Sequence, residues 1–320
     1  MVAQPAPPAR SADIEVCVSV VICCYTMRRR QVLGAAVDAV LAELHPGDEL
    51  IVVVDGDDDQ LADTLAADYH DRITLKHNEF DRGLSGARNT GLRAAGGDVV
   101  VFVDDDAVLR PGGLDAVRAA FAEQTVVALG GAVHPEWCGG TRPEWFPPEF
   151  GWVVGCDYRG LPPAGAAIRN PIGAAMAVRR NELDQIGGFC AALGRVGTIP
   201  VGCEETMMGI ELVRRDPDAQ IVRNTRFAVS HQVPRDRMTL TYFVRRCFHE
   251  GRSKAVLSSL CGQESALGSE WSYTTRTLPT GVWQARTQPR RMAALMLGFA
   301  VTTVGYLVGR VGMRGQEGRR

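Results

Sequence analysis

The sequence lacks the short motifs that mark several common protein classes. Its nine cysteines form no Cys-x-x-Cys pair and no Cys/His cluster with zinc spacing, so neither a structural zinc site nor a secreted disulfide framework is expected. Neither Gly-x-Gly-x-x-Gly nor Gly-x-x-x-x-Gly-Lys-Ser/Thr occurs in the 320 residues. The main sequence signals of dinucleotide-dependent oxidoreductases and P-loop NTPases are therefore absent, and both classes are disfavoured.

An excess of one charge and a leader segment are also missing. The chain has 35 Lys and Arg against 37 Asp and Glu, a formal net charge of −2, and this balance predicts no nucleic-acid partner. Residues 1–13 are rich in Pro and Ala and contain no apolar core, so they are not typical of a signal peptide. We expect a disordered lead-in to a catalytic region that lies in the cytoplasm.

The sequence does contain an alternation of strand and helix patterns. Apolar, β-branched runs at 16–24, 50–54 and 99–103 predict strands covered on both faces, and amphipathic segments between them predict helices. This alternation predicts an α/β fold with a mostly parallel sheet flanked by helices. Ser85 is expected to cap one helix, and 134–163, with its Trp, Phe, Pro and Gly residues, is expected to be a long functional loop.

Acidic side chains follow two of the predicted strands. Asp55 comes directly after the strand at 50–54, and Asp104, Asp105 and Asp106 come after the strand at 99–103. Ligands of open α/β sheets bind at this edge. Two carboxylates about 4 Å apart repel by about 4 kcal/mol at an effective dielectric constant of about 20, and a divalent cation removes that penalty. The aspartates therefore indicate a metal and diphosphate site, with a solvated acidic turn as the alternative.

A glycine-containing segment, 83–89, opens a further predicted helix. Its glycines allow the backbone to approach a ligand closely, and Arg88 is placed to meet a phosphate group. The motif alone is a weak signal, and an ordinary helix start explains it equally well.

Taken in order, these pieces resemble family 2 glycosyltransferases of the GT-A fold. The similarity extends over roughly residues 16–232 and depends on seven loose motifs in a fixed order. The motifs are Val18-Ser19-Val20-Val21-Ile22 with Tyr25, then 51–56, Gly86-Ala87-Arg88-Asn89 with Gly91, then 102–106, 173–180, Gly187-Gly188-Phe189 and Glu204-Glu205.

The resemblance implies a donor site built from the aspartates. Asp55 would hold the nucleobase of a nucleoside diphosphate sugar. Asp104 and Asp106 would be the outer members of the family's D-x-D motif, which touches the ribose and coordinates the Mg²⁺ or Mn²⁺ that bridges the diphosphate. Asp105, between them, and Arg88 are assigned to the same donor nucleotide.

The resemblance also implies a base and a further metal ligand. Glu204-Glu205 is similar to a Glu-Asp pair whose second member deprotonates the acceptor hydroxyl, so Glu205 would be the base and the transfer would invert the anomeric carbon. Because Glu replaces Asp and reaches one methylene further, the choice between Glu204 and Glu205 stays open, and both carboxylates also suit a plain helix start. His231 matches a late histidine that often binds the metal in GT-A enzymes, with a structural role as the alternative.

The C-terminal region is similar to helical extensions of bacterial members that act on lipid-linked or cell-surface acceptors. We divide the chain into a lead-in at 1–13, a catalytic domain at 14–235, a helical extension at 236–290, an apolar helix at 291–312 and a basic tail at 313–320. Basic residues of the extension are expected to face the diphosphate or anionic lipid, with a solvated helix face as the alternative. They are Arg245, Arg246, Arg252 and Lys254.

The run 292–309 contains no charged residue, and a helix of that length extends about 27 Å, close to the roughly 30 Å of a bilayer core. Arg290, Arg291 and Arg310 flank it, which suits a helix lying in an anionic interface, with a helix buried on the catalytic domain as the alternative. We expect peripheral attachment to the inner face of the cell membrane and an acceptor that is lipid-linked or part of the cell envelope.

Two other functions are weighed against this interpretation. A sugar-nucleotide nucleotidyltransferase of related α/β fold would carry a Gly-rich basic loop after the first strand. This chain has residues 24–27 and then three arginines at that place, so the segment is basic but not Gly-rich and matches only half of the pattern. A catalytically inactive sugar-nucleotide-binding protein is disfavoured because Asp104, Asp106 and Glu205 are intact.

Overall fold

A computed structural model describes residues 16–56, 58–191, 193 and 202–317 of the chain. The predicted lead-in at 1–13 lies outside the described residues, and the domain boundaries drawn above stay predictions. The strands are Val18–Cys24 (β1), Glu49–Val54 (β2), Thr74–His77 (β3), Val99–Asp104 (β4), Ala107–Leu109 (β5), Val126–Trp137 (β6), Ala175–Arg179 (β7) and Gln220–Val233 (β8).

The helices fall into two groups, α1 to α6 between strands and α7 to α10 after the last strand. They are Arg30–Leu41 (α1), Asp59–Tyr69 (α2), Leu84–Ala94 (α3), Gly113–Phe121 (α4), Arg180–Gln185 (α5), Glu204–Arg215 (α6), Leu240–Cys261 (α7), Gln263–Ser272 (α8), Leu278–Gln284 (α9) and Pro289–Glu317 (α10).

The eight strands form one mixed sheet in the order β3-β2-β1-β4-β7-β6-β8-β5. The first four positions are parallel, as the βα alternation predicts. β7 then enters antiparallel between β4 and β6, β8 pairs parallel with β6, and β5 pairs antiparallel with β8. Parallel pairs thus outnumber antiparallel ones by four to three, which agrees with the predicted mostly parallel sheet.

Both faces of the sheet are covered, and this explains the unbroken apolar runs. In β1, Val20 and Ile22 belong to the core on one face, while Val21 belongs to the core on the other. All three side chains are at most 1% exposed. Since every residue of such a strand points into a core, no polar alternation remains in its sequence.

Two local predictions are wrong. Gly83, at φ +139°, precedes the first residue of α3 and Ser85 lies inside the helix, where its hydroxyl donates to the carbonyl of Leu193 (2.7 Å) instead of capping. The segment 134–163 is not all loop, because β6 continues through Trp137 and pairs with β8, and Pro148–Val154 forms a 3₁₀ helix.

The C-terminal helices α7 and α10 lie in direct backbone contact. A Cβ on Gly251 of α7 would lie 2.0 Å from the carbonyl oxygen of Thr302, and a Cβ on Gly305 of α10 would lie 2.1 Å from that of Phe248. Small residues on both helices are therefore required at this crossing, because any side chain there would separate the two backbones.

The other side of α10 is an exposed apolar stripe, which no other described residue covers. Exposed fractions are 61% for Met296, 52% for Val304, 57% for Leu307 and 71% for Val311. The helix from Pro289 to Gly312, 24 residues, is long and apolar enough to cross a membrane by length and composition.

Arg291 departs from its predicted place in the basic flank of this helix. Its Nη2 lies 3.0 Å from Oε1 of Glu149, whose side chain is fully buried. Arg291 therefore holds the start of α10 against the 3₁₀ helix Pro148–Val154 and is not available to a membrane surface. Arg290 remains exposed beside it.

The α7–α10 crossing generates a stability prediction. Gly251→Ala is expected to lower the free energy of unfolding by about 1–3 kcal/mol, because the new methyl group overpacks the contact with Thr302. Gly312→Ala is the matched control, since nothing lies within 4 Å of that position and alanine favours a helix by up to about 1 kcal/mol. Urea unfolding of both variants measures the difference, and equal stability of the two would contradict the close contact.

Candidate active site

The first acidic residue lies at the edge where the parallel strands end. Oδ1 of Asp55, directly after β2, accepts hydrogen bonds from Nδ2 of Asn78 (2.7 Å) and from the backbone N–H of Gly83 (3.1 Å). Tyr25 and Arg82 line a cavity of about 330 Å³ together with this carboxylate. The bonds fix the orientation of Asp55, and the cavity offers an aromatic ring, a cation and an acceptor to a polar ligand.

The aspartate run forms the turn between β4 and β5. Because β5 pairs antiparallel with β8, Ala107 stands opposite His231, and the histidine comes to lie against the turn. Its Nε2 is 3.1 Å from Oδ1 of Asp106. Ligand atoms of Asp104, Asp106 and His231 all lie within 4.8 Å of one another, and this cluster has the donor set of a divalent metal site.

Cationic side chains surround the two buried aspartates. Arg29 contacts Asp105 (2.6 Å) and Asp106 (3.1 Å), and Arg237 contacts Asp106 (3.2 Å). Burial and the neighbouring Asp106 carboxylate raise the pKa of Asp105 to about 7, although Arg29 opposes this shift. Burial acts in the same direction on Asp106, but His231, Arg237 and Arg29 outweigh it and hold the pKa of Asp106 well below its usual range.

A cysteine contacts the ring nitrogen of His231 that does not face the aspartates. The imidazole is 2% exposed, and its Nδ1 lies 3.4 Å from Sγ of Cys156, while the thiol also reaches the carbonyl of Val154 (3.7 Å). Burial opposes a charge on the ring, but the Asp106 carboxylate outweighs it and raises the pKa of His231 to about 10. Contacts on both nitrogens leave the ring one orientation, with Nε2 towards the aspartates.

Arg88 connects the aspartate turn to the glutamate pair. Its side chain is 2% exposed, with one nitrogen 3.1 Å from Glu205 and 3.5 Å from Glu204, and the other 3.4 Å from Asp104. It also donates to the carbonyl of Gly173 (3.2 Å). Arg88 is buried, and its guanidinium contacts three carboxylates, which favours a role in fixing their positions. Direct contact of Arg88 with a phosphate stays a prediction.

The glutamate pair opens α6, as the sequence predicts. Glu204 is the first residue of the helix, after Cys203 in the left-handed region (φ 79°). The side chain of Glu205 is 17% exposed and that of Glu204 only 4%. A Cβ on Gly173 would lie 2.0 Å from Oε1 of Glu205, so glycine at this position makes room for the carboxylate.

The basic residues of α7 differ in their exposure to solvent. Arg246 pairs with Glu250 (2.8 Å), and Lys254 pairs with Glu250 (3.3 Å) and Glu270. These two cations are therefore neutralised by carboxylates in the protein. Arg245 and Arg252 are exposed at the helix surface, and contact of either with an anionic lipid or the diphosphate stays a prediction.

Aromatic residues of the predicted functional loop pack against one another. Phe146 is fully buried, with its ring centroid 5.2 Å from that of Trp137 and 5.8 Å from that of Phe243 on α7. Phe150 is 2% exposed and packs 5.2 Å from Phe243. The cluster packs α7 against the core on one face of the sheet.

Sequence reasoning missed Arg29, Arg237 and Cys156. Arg29 had a local signal, because it lies in the run 28–30 immediately after a strand end. Arg237 and Cys156 had none, since they stand 131 and 50 positions from Asp106. Arg237 reaches the turn from the segment after β8, and Cys156, which follows the 3₁₀ helix, contacts His231.

Comparisons with known proteins point to one enzyme family. The profile of the family described as Glycosyl transferase family 2 matches residues 19–187. A glucosyl-dolichyl phosphate glucuronosyltransferase of Haloferax volcanii is 33% identical over 251 residues, which cover 78% of this chain and 79% of the relative. A UDP-Glc:α-D-GlcNAc-diphosphoundecaprenol β-1,3-glucosyltransferase of Escherichia coli is 34% identical over 74 residues, 23% of this chain and 29% of that protein.

A solved structure supports the fold. The mannosyltransferase PcManGT of Pyrobaculum calidifontis, in complex with GDP-Man and Mn²⁺, superposes with a TM-score of 0.58 at 18% identity, covering 91% of this chain and 86% of that chain. At this identity the likeness concerns the fold alone. Together with the mixed sheet and its flanking helices, it confirms the GT-A fold predicted from the sequence.

The position of Arg88 generates a second stability prediction. Arg88→Met is expected to lower the free energy of unfolding by about 3–5 kcal/mol, because Asp104, Glu204 and Glu205 lose a buried guanidinium. Arg93→Met on the same helix is the control, with an expected loss of at most about 1 kcal/mol, since its ion pair with Glu79 is exposed. Denaturant unfolding at pH 7 compares them, and a similar loss in both variants would count against Arg88 as the connecting group.

Proposed function

The chain belongs to glycosyl transferase family 2, and from that premise we propose that it is an inverting, metal-dependent enzyme. It moves a sugar from a nucleoside diphosphate sugar to an acceptor hydroxyl or phosphate. The observation that supports this most directly is the clustering of Asp104, Asp106 and His231 within 4.8 Å, joined through Arg88 to Glu205. The site thus combines a place for a leaving diphosphate with a carboxylate next to it.

The donor set fits a divalent cation. Two carboxylates and an imidazole suit Mn²⁺ or Mg²⁺, and Asp105 keeps a buried Oδ2 with no hydrogen-bond partner among the described residues. When bound, the ion neutralises charge that develops on the departing diphosphate. Arg29 and Arg237 add fixed positive charge at the same turn and exclude water from Asp106.

The nucleotide is assigned to the cavity at Asp55. The carboxylate accepts hydrogen bonds from a nucleobase, the ring of Tyr25 offers a stacking surface, and Arg82 lies at the same cavity. The guanidinium of Arg29, 5.4 Å from the Tyr25 ring, joins this cavity to the aspartate turn. A nucleoside in the cavity therefore has its diphosphate directed towards Asp104 and Asp106.

Glu205 is the proposed base. It is more accessible than Glu204, and Arg88 together with the space at Gly173 holds its Oε1 at the site. The carboxylate accepts the proton of the acceptor hydroxyl as the oxygen attacks the anomeric carbon, while the bond to the diphosphate breaks on the opposite face. Glu204, nearly buried, serves to orient Arg88.

The acceptor is proposed to be lipid-linked and presented at the inner face of the cell membrane. The named acceptors of the two relatives are lipid-linked, and the exposed apolar stripe of α10 suits an interfacial helix. Arg245, Arg252 and Arg290 are exposed cations that add affinity for anionic headgroups, at about 1 kcal/mol each near the surface.

The metal site is tested by Asp106→Asn. The variant is expected to bind UDP or GDP at least ~10-fold more weakly in the presence of Mn²⁺, because an anionic ligand of the ion becomes neutral. Isothermal titration calorimetry with both nucleotides measures this, and EDTA should weaken the wild-type protein to the level of the variant. Wild-type affinity that is the same with Mn²⁺ and with EDTA would refute the metal role.

The base is tested by paired glutamine substitutions. Glu205→Gln keeps the shape and removes the proton acceptor, so turnover should fall by about 10²-fold or more while nucleotide affinity persists. Glu204→Gln is the matched control with a smaller loss. Turnover is measured with a panel of UDP- and GDP-sugars and polyprenyl-phosphate-linked sugars. The reverse order of effects would move the base to Glu204.

A further inference from the structure

An apolar groove lies between the two C-terminal helices, away from the polar cavity at Asp55. Its volume of about 810 Å³ is in the range that accommodates a small organic ligand. Five residues of α7 between Leu240 and Phe248 form one wall, and three residues of α10 between Ala300 and Val304 form the other. The apolar lining consists of Leu240, Val244, Phe248, Ala300, Val301 and Val304. We call it the α7–α10 groove.

One end of the α7–α10 groove lies close to the metal site along the chain. Leu240, the first residue of α7, stands three residues after Arg237, which donates to Asp106 (3.2 Å). Three residues extend at most about 11 Å. The groove therefore begins within about 11 Å of the backbone of Arg237, whose side chain reaches Asp106, and runs along α7 for about 12 Å to Phe248.

Charge and continuity indicate the kind of molecule that fits. Arg245 lines the groove and is exposed, so an anionic group has a cation next to the apolar walls. Val304 belongs both to the groove and to the exposed apolar stripe of α10. A long apolar chain that enters at Leu240 can therefore continue along α10 into a membrane without crossing a polar surface.

We propose that the α7–α10 groove binds the isoprenoid segment next to the phosphate of a polyprenyl-phosphate-linked acceptor. The inference rests on the proposed function, since it requires a lipid-linked acceptor at Glu205. It adds the place of the lipid: the sugar lies at the metal site, the phosphate lies near Arg245, and the first isoprene units lie between the helices. The acceptor is thus recognised by its lipid as well as by its sugar.

The test uses a benzophenone-bearing analogue of farnesyl phosphate as a photoreactive probe of the full-length protein. Cross-linked peptides should come from α7 and α10, and farnesyl phosphate should compete while inorganic phosphate should not. Val304→Asp should weaken probe binding by at least tenfold, because a carboxylate in the groove repels both the chain and the phosphate. Val308→Asp, outside the groove and of similar exposure (48% against 52%), should change it by less than twofold.

Several outcomes would overturn the proposal. Equal loss in both valine variants would assign the binding to general contact of α10 with apolar chains, as would equal competition by dodecyl phosphate. A dimer that dissociates in Val304→Asp, seen by sedimentation, would assign the groove to a second copy of the chain. Thermal melting of each variant excludes misfolding as the cause. Failure of the proposed function is distinguishable, because it shows as absent Mn²⁺-dependent nucleotide binding in the wild-type protein.

Discussion

The site depends on buried positive charge that holds several carboxylates together at one sheet edge. Asp104, Glu204 and Glu205 converge on the single guanidinium of Arg88, and Asp106 is held by arginines and a histidine. Without these partners the carboxylates would repel one another and become protonated or turn to solvent. Because Arg88 is buried on α3 while the glutamates open α6, one ion-pair network fixes the distance between two remote segments of the chain.

A second constraint connects the site to the C-terminal helices. The turn after β8 carries Arg237 to Asp106 and then leads directly into α7. α7 is held against α10 by glycine contacts, and α10 is held to the 3₁₀ helix Pro148–Val154 by the buried pair Arg291–Glu149. The apolar surface of these helices consequently keeps a defined position relative to the aspartate turn.

Much of the candidate site was predictable because its signals are local. Asp55 and the aspartates at 104–106 follow apolar runs, and the rule that ligands bind at strand ends places them together without a structure. Their neighbours Arg29, Arg237 and Cys156 were not predictable in this way. Arg29 lies in a run of three arginines, but nothing in that run shows which one reaches the aspartates. Arg237 and Cys156 stand alone in the sequence, and the pairing of β5 with β8 is what brings His231, the partner of Cys156, to the turn.

The sequence by itself determined the βα alternation, the acidic strand ends and the uncharged C-terminal helix, because each follows from the order of residues along a short segment. Tertiary structure alone decided which arginines are buried, which face of α10 is covered, and that Arg88 lies under the carboxylates. Those features depend on contacts between segments far apart in the chain, such as Arg88 with Glu205 across 117 positions. A side chain's partner, and with it its charge state and exposure, is set by the folded packing and not by its neighbours in sequence.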